Sequence, residues 1–332
     1  MIESLTVIGF RCFREIRVTP LTRVNLFVGE NNAGKTSLLE AVELLAVGGV
    51  EGLARSAVRR GEQITARSEA GEKFKEHVID PSHLFSGHDL RLGTSFEIHG
   101  TGSMERRVHC KVEPTSDALI RSLLFESHLS TTKEHLPISP MGGVLLPPRR
   151  LPEPSPRTNF LAAEANALSH LAQLLDALVL TSEEEEVIKS LRVIEPRIEM
   201  VADLLLKLKD SEQRPPLGSL GGGVRHLLSL VLNLLSARGG FFLVDEIDTG
   251  LHYSVMMDIW RLIIENARRF GVQVFATTHS LDCVRSLARL RKKYPGTASD
   301  VTVHRMEKDA TKSIVYDADE IVVAAEGHIE VR

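Results

Sequence analysis

Cysteine is scarce. Cys12, Cys110 and Cys283 lie far apart, with no CxxC and no paired spacing. That excludes a disulfide framework or a cysteine-based zinc site, and makes a reducing cytoplasm the expected compartment. Long hydrophobic runs are missing too: the longest, Leu227 to Leu235, is interrupted by Ser229 and Asn233. It falls well short of the ~20 apolar residues that span a bilayer, so no membrane partner is expected. The opening MIESLTVIGF has an early glutamate, no basic n-region and no small-residue cleavage site, and does not read as a secretory signal. Nor is one charge in excess: 40 Lys and Arg against 44 Asp and Glu give a formal net charge of -4. A histone-like binder driven by bulk charge is excluded, although local basic patches are not. His83, His88, His99 and His109 show no metal-ligand spacing, and no GxSxG marks a serine hydrolase.

The 332 residues suit one to two domains. Leu5 to Ile8 and Ile16 to Val18 read as strands, and Val24 to Val28 as a strand buried on both faces. Thr36 to Leu45 has helical spacing. Residues from about 50 to 160 are less regular, with one alternating stretch at Thr94 to His99 and a proline-rich connection at 137–157 that carries Arg149, Arg150 and Arg157. Leu161 to Leu180 and Val187 to Leu206 have helical periodicity, and Glu183 to Glu186 sit where a helix start favours negative charge. From Arg214 the pattern is α/β: a glycine-rich turn (Gly218 to Gly223), an apolar helix, a strand at Phe241 to Val244, a helix near Met256 to Ala267 and a strand at Val272 to Ala276.

Four motifs carry chemistry. Gly29-Glu30-Asn31-Asn32-Ala33-Gly34-Lys35-Thr36 matches GxxxxGK[ST] between a buried strand and a helix. The glycines let backbone N–H groups turn inward onto phosphate oxygens, Lys35 reaches the β- and γ-phosphates, and the Thr36 hydroxyl completes a magnesium shell. The helix that follows, opening through Ser37, presents its positive end. Asp245-Glu246 closes a four-residue apolar strand, at the edge where open α/β sheets place ligands. There Asp245 can hold the metal ion and Glu246 can orient and deprotonate a water. A further buried strand delivers Thr277, Thr278 and His279 to the same edge, with His279 able to donate to the γ-phosphate. Last, Ser219 with Gly221, Gly222 and Gly223 at a helix start form a second anion nest or a flexible hinge. One triphosphate rarely needs two nests, unless the second serves a neighbour's nucleotide.

In this order the motifs resemble the ABC-type ATPases of the SMC, RecF and OLD group. Val7-Ile8-Gly9-Phe10-Arg11-Cys12-Phe13 and Val24 to Leu39 are similar to the opening of OLD-type and RecF-like ATPases. Glu195 to His279, with Asp245 to His252, and the closing Gly327 to Arg332 resemble stand-alone OLD-like ATPases of AAA type. The resemblance implies a P-loop NTPase of ABC type, a mixed α/β sheet flanked by helices, with a compact inserted helical lobe. The nucleotide-binding core is expected from 1–50 and 214–332, and the lobe from 51–213. It implies ATP and Mg2+ as cofactors and a head-to-tail homodimer sandwiching two ATPs. Ser219 and Gly221 would then meet the partner's γ-phosphate, Glu246 would be the base, His279 the switch residue, and Arg11 a phosphate contact. The signature reads Ser-Leu-Gly-Gly-Gly rather than Ser-Gly-Gly, and none of Gln63, Gln173, Gln213 and Gln273 is placed as a Q-loop glutamine.

The chain ends about 50 residues after His279, too few for the Toprim nuclease domain that OLD enzymes often carry. A separate nuclease or effector partner is therefore expected, in nucleic-acid processing or anti-phage defence. Arg59-Arg60, Arg106-Arg107 and Arg291-Lys292-Lys293 either line a DNA groove or are ordinary solvated faces. Two other function classes fit less well. A transporter ATPase is opposed by His252, which stands where those proteins have a D-loop aspartate. A nucleotide sensor without turnover is opposed by the intact Asp245-Glu246 and His279.

Overall fold

A computed structural model describes all residues except 65–77, 116–119, 130–132, 140–141, 147–156, 163–167, 179–180, 182, 210, 298 and 328–332. Much of the proline-rich connection and most of the closing Gly327 to Arg332 segment thus lie outside the described residues. The chain opens with strands β1 (Ile2–Ile8), β2 (Glu15–Val18) and β3 (Val24–Val28), then helices α1 (Lys35–Val47) and α2 (Gly49–Arg60). Next come β4 (Gln63–Ile64), β5 (Val78–Ile79), β6 (Ser95–Gly102), β7 (Arg106–Pro114), β8 (Arg121–Ser127), β9 (Glu134–Ile138), β10 (Val144–Leu145) and β11 (Thr158–Leu161). Helices α3 (Leu168–Asp176) and α4 (Glu183–Leu191) precede a hairpin of β12 (Ile198–Ala202) and β13 (Leu205–Leu208). The last part alternates: α5 (Gly222–Ser236), β14 (Phe241–Val244), α6 (Met256–Arg269), β15 (Gln273–Thr277), α7 (Leu281–Lys293), β16 (Val301–Arg305), β17 (Ile314–Tyr316) and α8 (Ala318–Glu326).

These elements fall into two units. The first comprises 1–21, 32–155 and 307–313. Among the described residues its sheet runs β2-β1-β6-β7-β8-β9-β10-β5-β4, with antiparallel neighbours throughout. Alternation builds it: Val108, Cys110 and Val112 of β7 are buried while the charged residues between them face outward. Helix α1 lies on this sheet, and Gly100 of β6 makes room for it, since a Cβ there would come 2.6 Å from Leu45.

The second unit comprises 22–31, 156–306 and 314–332. Its sheet, among the described residues, runs β11-β14-β15-β3-β16-β17, parallel except for β17 at one edge. Strands β3, β14 and β15 are buried at every position, as central parallel strands covered on both faces must be. The core around them includes Leu228 and Leu232 of α5, Ile259, Trp260 and Ile263 of α6, and Leu287 of α7. No helix among the described residues is long and apolar enough to cross a membrane.

Three expectations need correction. Among the described residues of the segment expected as a helical lobe, strand outweighs helix: its alternation runs through stretches so charged that the apolar positions stand singly. The helix expected at Val187 to Leu206 stops at Leu191. Pro196 lacks an N–H and disfavours a helical Glu195 before it, and Asp203 and Leu204, at φ +48° and +58°, make the tight turn between β12 and β13. Of the helix expected at Leu161 to Leu180, Leu161 instead ends β11, paired with β14, and the described helix is α3, with 163–167 outside the described residues. In the first unit β1 pairs with β6, so residues far apart in the chain share one sheet.

The chain's one tryptophan, Trp260, is buried in the second unit's core, so its emission reports unfolding there. Leu228→Ala, at a fully buried site of the same core, is expected to lower stability by about 2–5 kcal/mol in a urea titration followed by that emission. A cost under ~1 kcal/mol would contradict the packing described here.

Candidate functional site

In the second unit, β14, β15 and β3 run side by side in the same direction, Val244 beside Ala276 and Thr277 beside Phe27. Their carboxyl ends therefore share one edge, where an open parallel sheet presents ligand-binding groups. From it emerge Gly29, Glu30 and Asn31 after β3, Asp245 and Glu246 after β14, and Thr278 and His279 after β15. Gly29 is required: its φ is +140°, and a Cβ would come 2.3 Å from the Met306 carbonyl oxygen.

The acidic turn is tightly held. Thr277 Oγ1 donates to Asp245 Oδ1 at 2.5 Å and accepts the Glu246 N–H at 2.9 Å. One hydroxyl thus serves both acidic residues. The Ile247 N–H donates to the Thr277 carbonyl at 3.0 Å, and Thr278 Oγ1 donates to Asp248 Oδ1 at 2.5 Å. Across the turn, His226 Nε2 lies 3.1 Å from the Ile247 carbonyl oxygen. Burial pushes the His226 imidazole below its usual range, which favours the neutral ring. A carbonyl only accepts, so Nε2 carries the hydrogen. Glu246 has φ +52°, a left-handed conformation that a non-glycine residue adopts only when its surroundings over-determine it. Its side chain is exposed, with Oε2 3.3 Å from Thr249 Oγ1. His279 is half-buried at the same edge, between Thr278 and the α7 cap Ser280, whose Oγ accepts the Cys283 N–H at 3.2 Å.

The second half of the glycine-rich loop, Asn32 onward, belongs to the first unit. Asn32 and Gly34 have φ +66° and +89°, and a Cβ on Gly34 would come 2.5 Å from Phe13 and 2.8 Å from Cys12 Sγ. Helix α1 then begins at Lys35 with no side-chain cap and no acidic residue in its first turn. Its leading N–H groups and positive dipole end suit an anion. Ala33, Lys35 and Ser37 are buried, and Thr36 is half-buried. Ser37 Oγ accepts from Arg60 at 3.2 Å, and Arg60 pairs with Glu40 at 2.6 Å. Arg11 is buried in this unit: it pairs with Glu40 at 3.1 Å, donates to Ser56 Oγ at 2.8 Å and pairs with Glu62. The charge that the resemblance assigns to phosphate is here met by two carboxylates.

The other glycine-rich segment leads into α5. Gly218, Ser219, Gly221 and Gly222 are exposed, Gly221 has φ +91°, and Ser219 Oγ donates to the Pro216 carbonyl at 2.7 Å. Helix α5 also starts without a side-chain cap or an acidic first turn. Gly223 packs against the turn after the acidic pair, where a Cβ would come 3.1 Å from the Gly250 carbonyl oxygen. His252 and Tyr253, exposed in that turn, have ring centres 4.3 Å apart in a tilted arrangement, and His252 Nδ1 lies 2.8 Å from Ser254 Oγ.

The second unit therefore gathers Gly29, Glu30, Asn31, Asp245, Glu246 and His279 at one sheet edge, with Ser219 and Gly221–Gly223 joined to it through α5. Asn32, Ala33, Gly34, Lys35, Thr36, Ser37 and Arg11 are arranged within the first unit. The bracing roles of Thr277, Thr278 and His226 were not read from sequence, although two hydroxyl residues at the end of a buried strand are a signal for such bracing. Among the described residues no group of three or more His, Cys, Asp or Glu forms a metal cage. Thr36 and Asp245 each carry a hard oxygen donor of the kind Mg2+ prefers.

The family model described as "AAA domain, putative AbiEii toxin, Type IV TA system" matches residues 24–283. An "ATP/GTP phosphatase" of Helicobacter pylori is 25% identical over 335 residues, covering 86% of this chain and 87% of that protein. The DNA replication and repair protein RecF of Idiomarina loihiensis is 47% identical, but over only 47 residues, 14% of this chain and 13% of its own. Among solved structures, an SMC head bound to the C-winged helix domain of ScpA has a TM-score of 0.54 at 14% identity, covering 96% of this chain and 99% of that one. An SMC head from Pyrococcus furiosus, bound to the C-terminal domain of ScpA, has a TM-score of 0.52 at 12% identity, covering 99% of both chains. The fold is that of an SMC-head ABC ATPase.

Thr277→Val keeps the shape but leaves the Asp245 carboxylate and the Glu246 N–H without their shared partner. It is expected to cost about 1–3 kcal/mol in chemical denaturation, with Thr277→Ser close to wild type. Equal stability of the valine variant would contradict the bridging role.

Proposed function

The chain belongs to the AAA-domain family matched over residues 24–283, and on that premise we propose that it binds and hydrolyses ATP with Mg2+ as an ATP-sandwiched homodimer of the OLD-like kind. The observation that carries this reading is the shared edge of β3, β14 and β15, where the start of a phosphate loop, a braced acidic pair and a histidine emerge side by side. The H. pylori relative, called an ATP/GTP phosphatase, supports nucleotide hydrolysis.

The division of labour follows from residue chemistry. Gly29 to Thr36 wrap the phosphates with backbone N–H groups, Glu30, Asn31 and Asn32 flank the loop's open side, and Lys35 neutralises the β- and γ-phosphates. Thr36 and Asp245 hold the metal ion, Asp245 fixed by Thr277, and the ion when bound neutralises charge on the phosphates. Glu246 takes a proton from water as the water oxygen bonds to the γ-phosphorus and the bond to the ADP oxygen breaks. His279 donates a hydrogen bond to the γ-phosphoryl group. Ser219 and Gly221–Gly223 are read as the signature that a second copy offers to the same nucleotide. The nucleotide-binding core is read as 1–50 with 214–332 around an insert at 51–213. A role in nucleic-acid processing or anti-phage defence, with a separate effector or DNA as partner, is the biological reading in keeping with the RecF and SMC likenesses.

Lys35→Ala is expected to abolish nucleotide binding and turnover. Glu246→Gln is expected to lower turnover by roughly a hundred-fold or more while ATP still binds, and to accumulate an ATP-dependent dimer visible in light scattering. Chelating magnesium is expected to stop hydrolysis. Wild-type turnover in Lys35→Ala or Glu246→Gln would overturn the assignment, and a Glu246→Gln protein that stays monomeric with MgATP would overturn the sandwich.

A further inference from the structure

The turn that carries Glu246 is gripped from two sides. On the β15 side, Thr277 bonds both the Glu246 N–H and the Ile247 N–H. On the α5 side a single group, His226 Nε2, meets the Ile247 carbonyl oxygen at 3.1 Å. Both partners are buried, His226 at 4% exposure and Ile247 at 0%. Removing the histidine takes away this buried carbonyl's partner on the α5 side, and a buried carbonyl that loses its partner drives local rearrangement. The residue that would move is next to Glu246, which already holds a left-handed φ of +52°. Such a backbone keeps its shape only while its anchors remain.

His226 is also placed to do more than brace. It lies one helical turn after Gly222, the first residue of α5, so it sits on the Gly222 side of that helix. Helix α5 therefore has the exposed glycine segment at its start and the Ile247 contact one turn later, and Gly223 packs on the Gly250 carbonyl of the same turn region.

We propose that His226 is a positioning residue for Glu246: its Nε2–H bond to the Ile247 carbonyl aims the carboxylate and ties it to the glycine segment that opens α5. The proposal rests on the reading of Glu246 as the base that activates water. Under it, a ligand that orders the glycine segment acts on the base through a rigid helix and one hydrogen bond. His226 itself touches neither nucleotide nor water.

Two variants of the full-length chain test this. His226→Phe keeps the ring volume and loses the donor; His226→Gln places an amide N–H where Nε2 stood. The phenylalanine variant is expected to lose roughly ten- to hundred-fold in kcat, the cost of a misplaced catalytic group. Its KM for ATP is expected to stay within about twofold, and its ATP-dependent dimer to persist in light scattering. The glutamine variant is expected to recover most of the rate. Wild-type kcat in His226→Phe, or a raised KM with lowered Tm that glutamine does not rescue, would overturn the proposal. Glu246→Gln run alongside separates the two claims. If it turns over at the wild-type rate, the base assignment falls and the inference with it. If it is inactive while His226→Phe is unimpaired, only the positioning role falls.

Discussion

One hydroxyl group, Thr277 Oγ1, organises the acidic turn. It gives its hydrogen to Asp245 and its lone pair to the Glu246 N–H. Two neighbouring carboxylates at the end of a buried strand would repel each other and face into a low-dielectric interior. Holding the first by a hydrogen bond from its own sheet and turning the second outward through a left-handed backbone separates their tasks. Asp245 is a fixed carboxylate at the strand end and Glu246 an exposed one beside it. The strain at Glu246 is sustained by β15 from one side and α5 from the other.

The phosphate loop meets a different constraint. Gly29 must pass the Met306 carbonyl, and Gly34 must pass the Phe13 ring, at distances that exclude any side chain. Both glycines are thus required by packing alone. Within the first unit, α1 buries Glu40 and Glu43, and arginines from the N-terminal segment and α2 meet them. Replacing one partner of such a network leaves a buried uncompensated charge, so these arginines are held in place more firmly than surface cations would be.

What the sequence made legible follows from the physics each reading used. Val24–Val28 and Phe241–Val244 were readable to the residue, because short, mainly apolar runs bounded by glycine or charged residues mark strands buried on both faces. The loop after β3 and the acidic turn after β14 were readable as the points where two buried strands end, because glycine or paired acidic residues follow each apolar segment directly. The first unit's sheet was not, because single apolar residues such as Val108 and Cys110 alternate with arginine, histidine and lysine and average to a polar surface. The hairpin at 198–208 was missed because Ile198, Val201 and Leu206 mimic helical spacing, and only Pro196 and the tight turn at Asp203-Leu204 argue against it. The bridging by Thr277 and His226 lies between residues 21 to 32 positions apart. No periodicity reports such contacts.

The central claim is that the braced acidic pair completes a hydrolytic site only when two copies of the chain share their nucleotides. Steady-state phosphate release, measured with wild-type chain over a wide range of protein concentrations at saturating MgATP, tests it directly. The account predicts a rate per chain that climbs with concentration and levels off once the dimer is saturated. A rate per chain that is constant across the range, or no phosphate released at all, would contradict it.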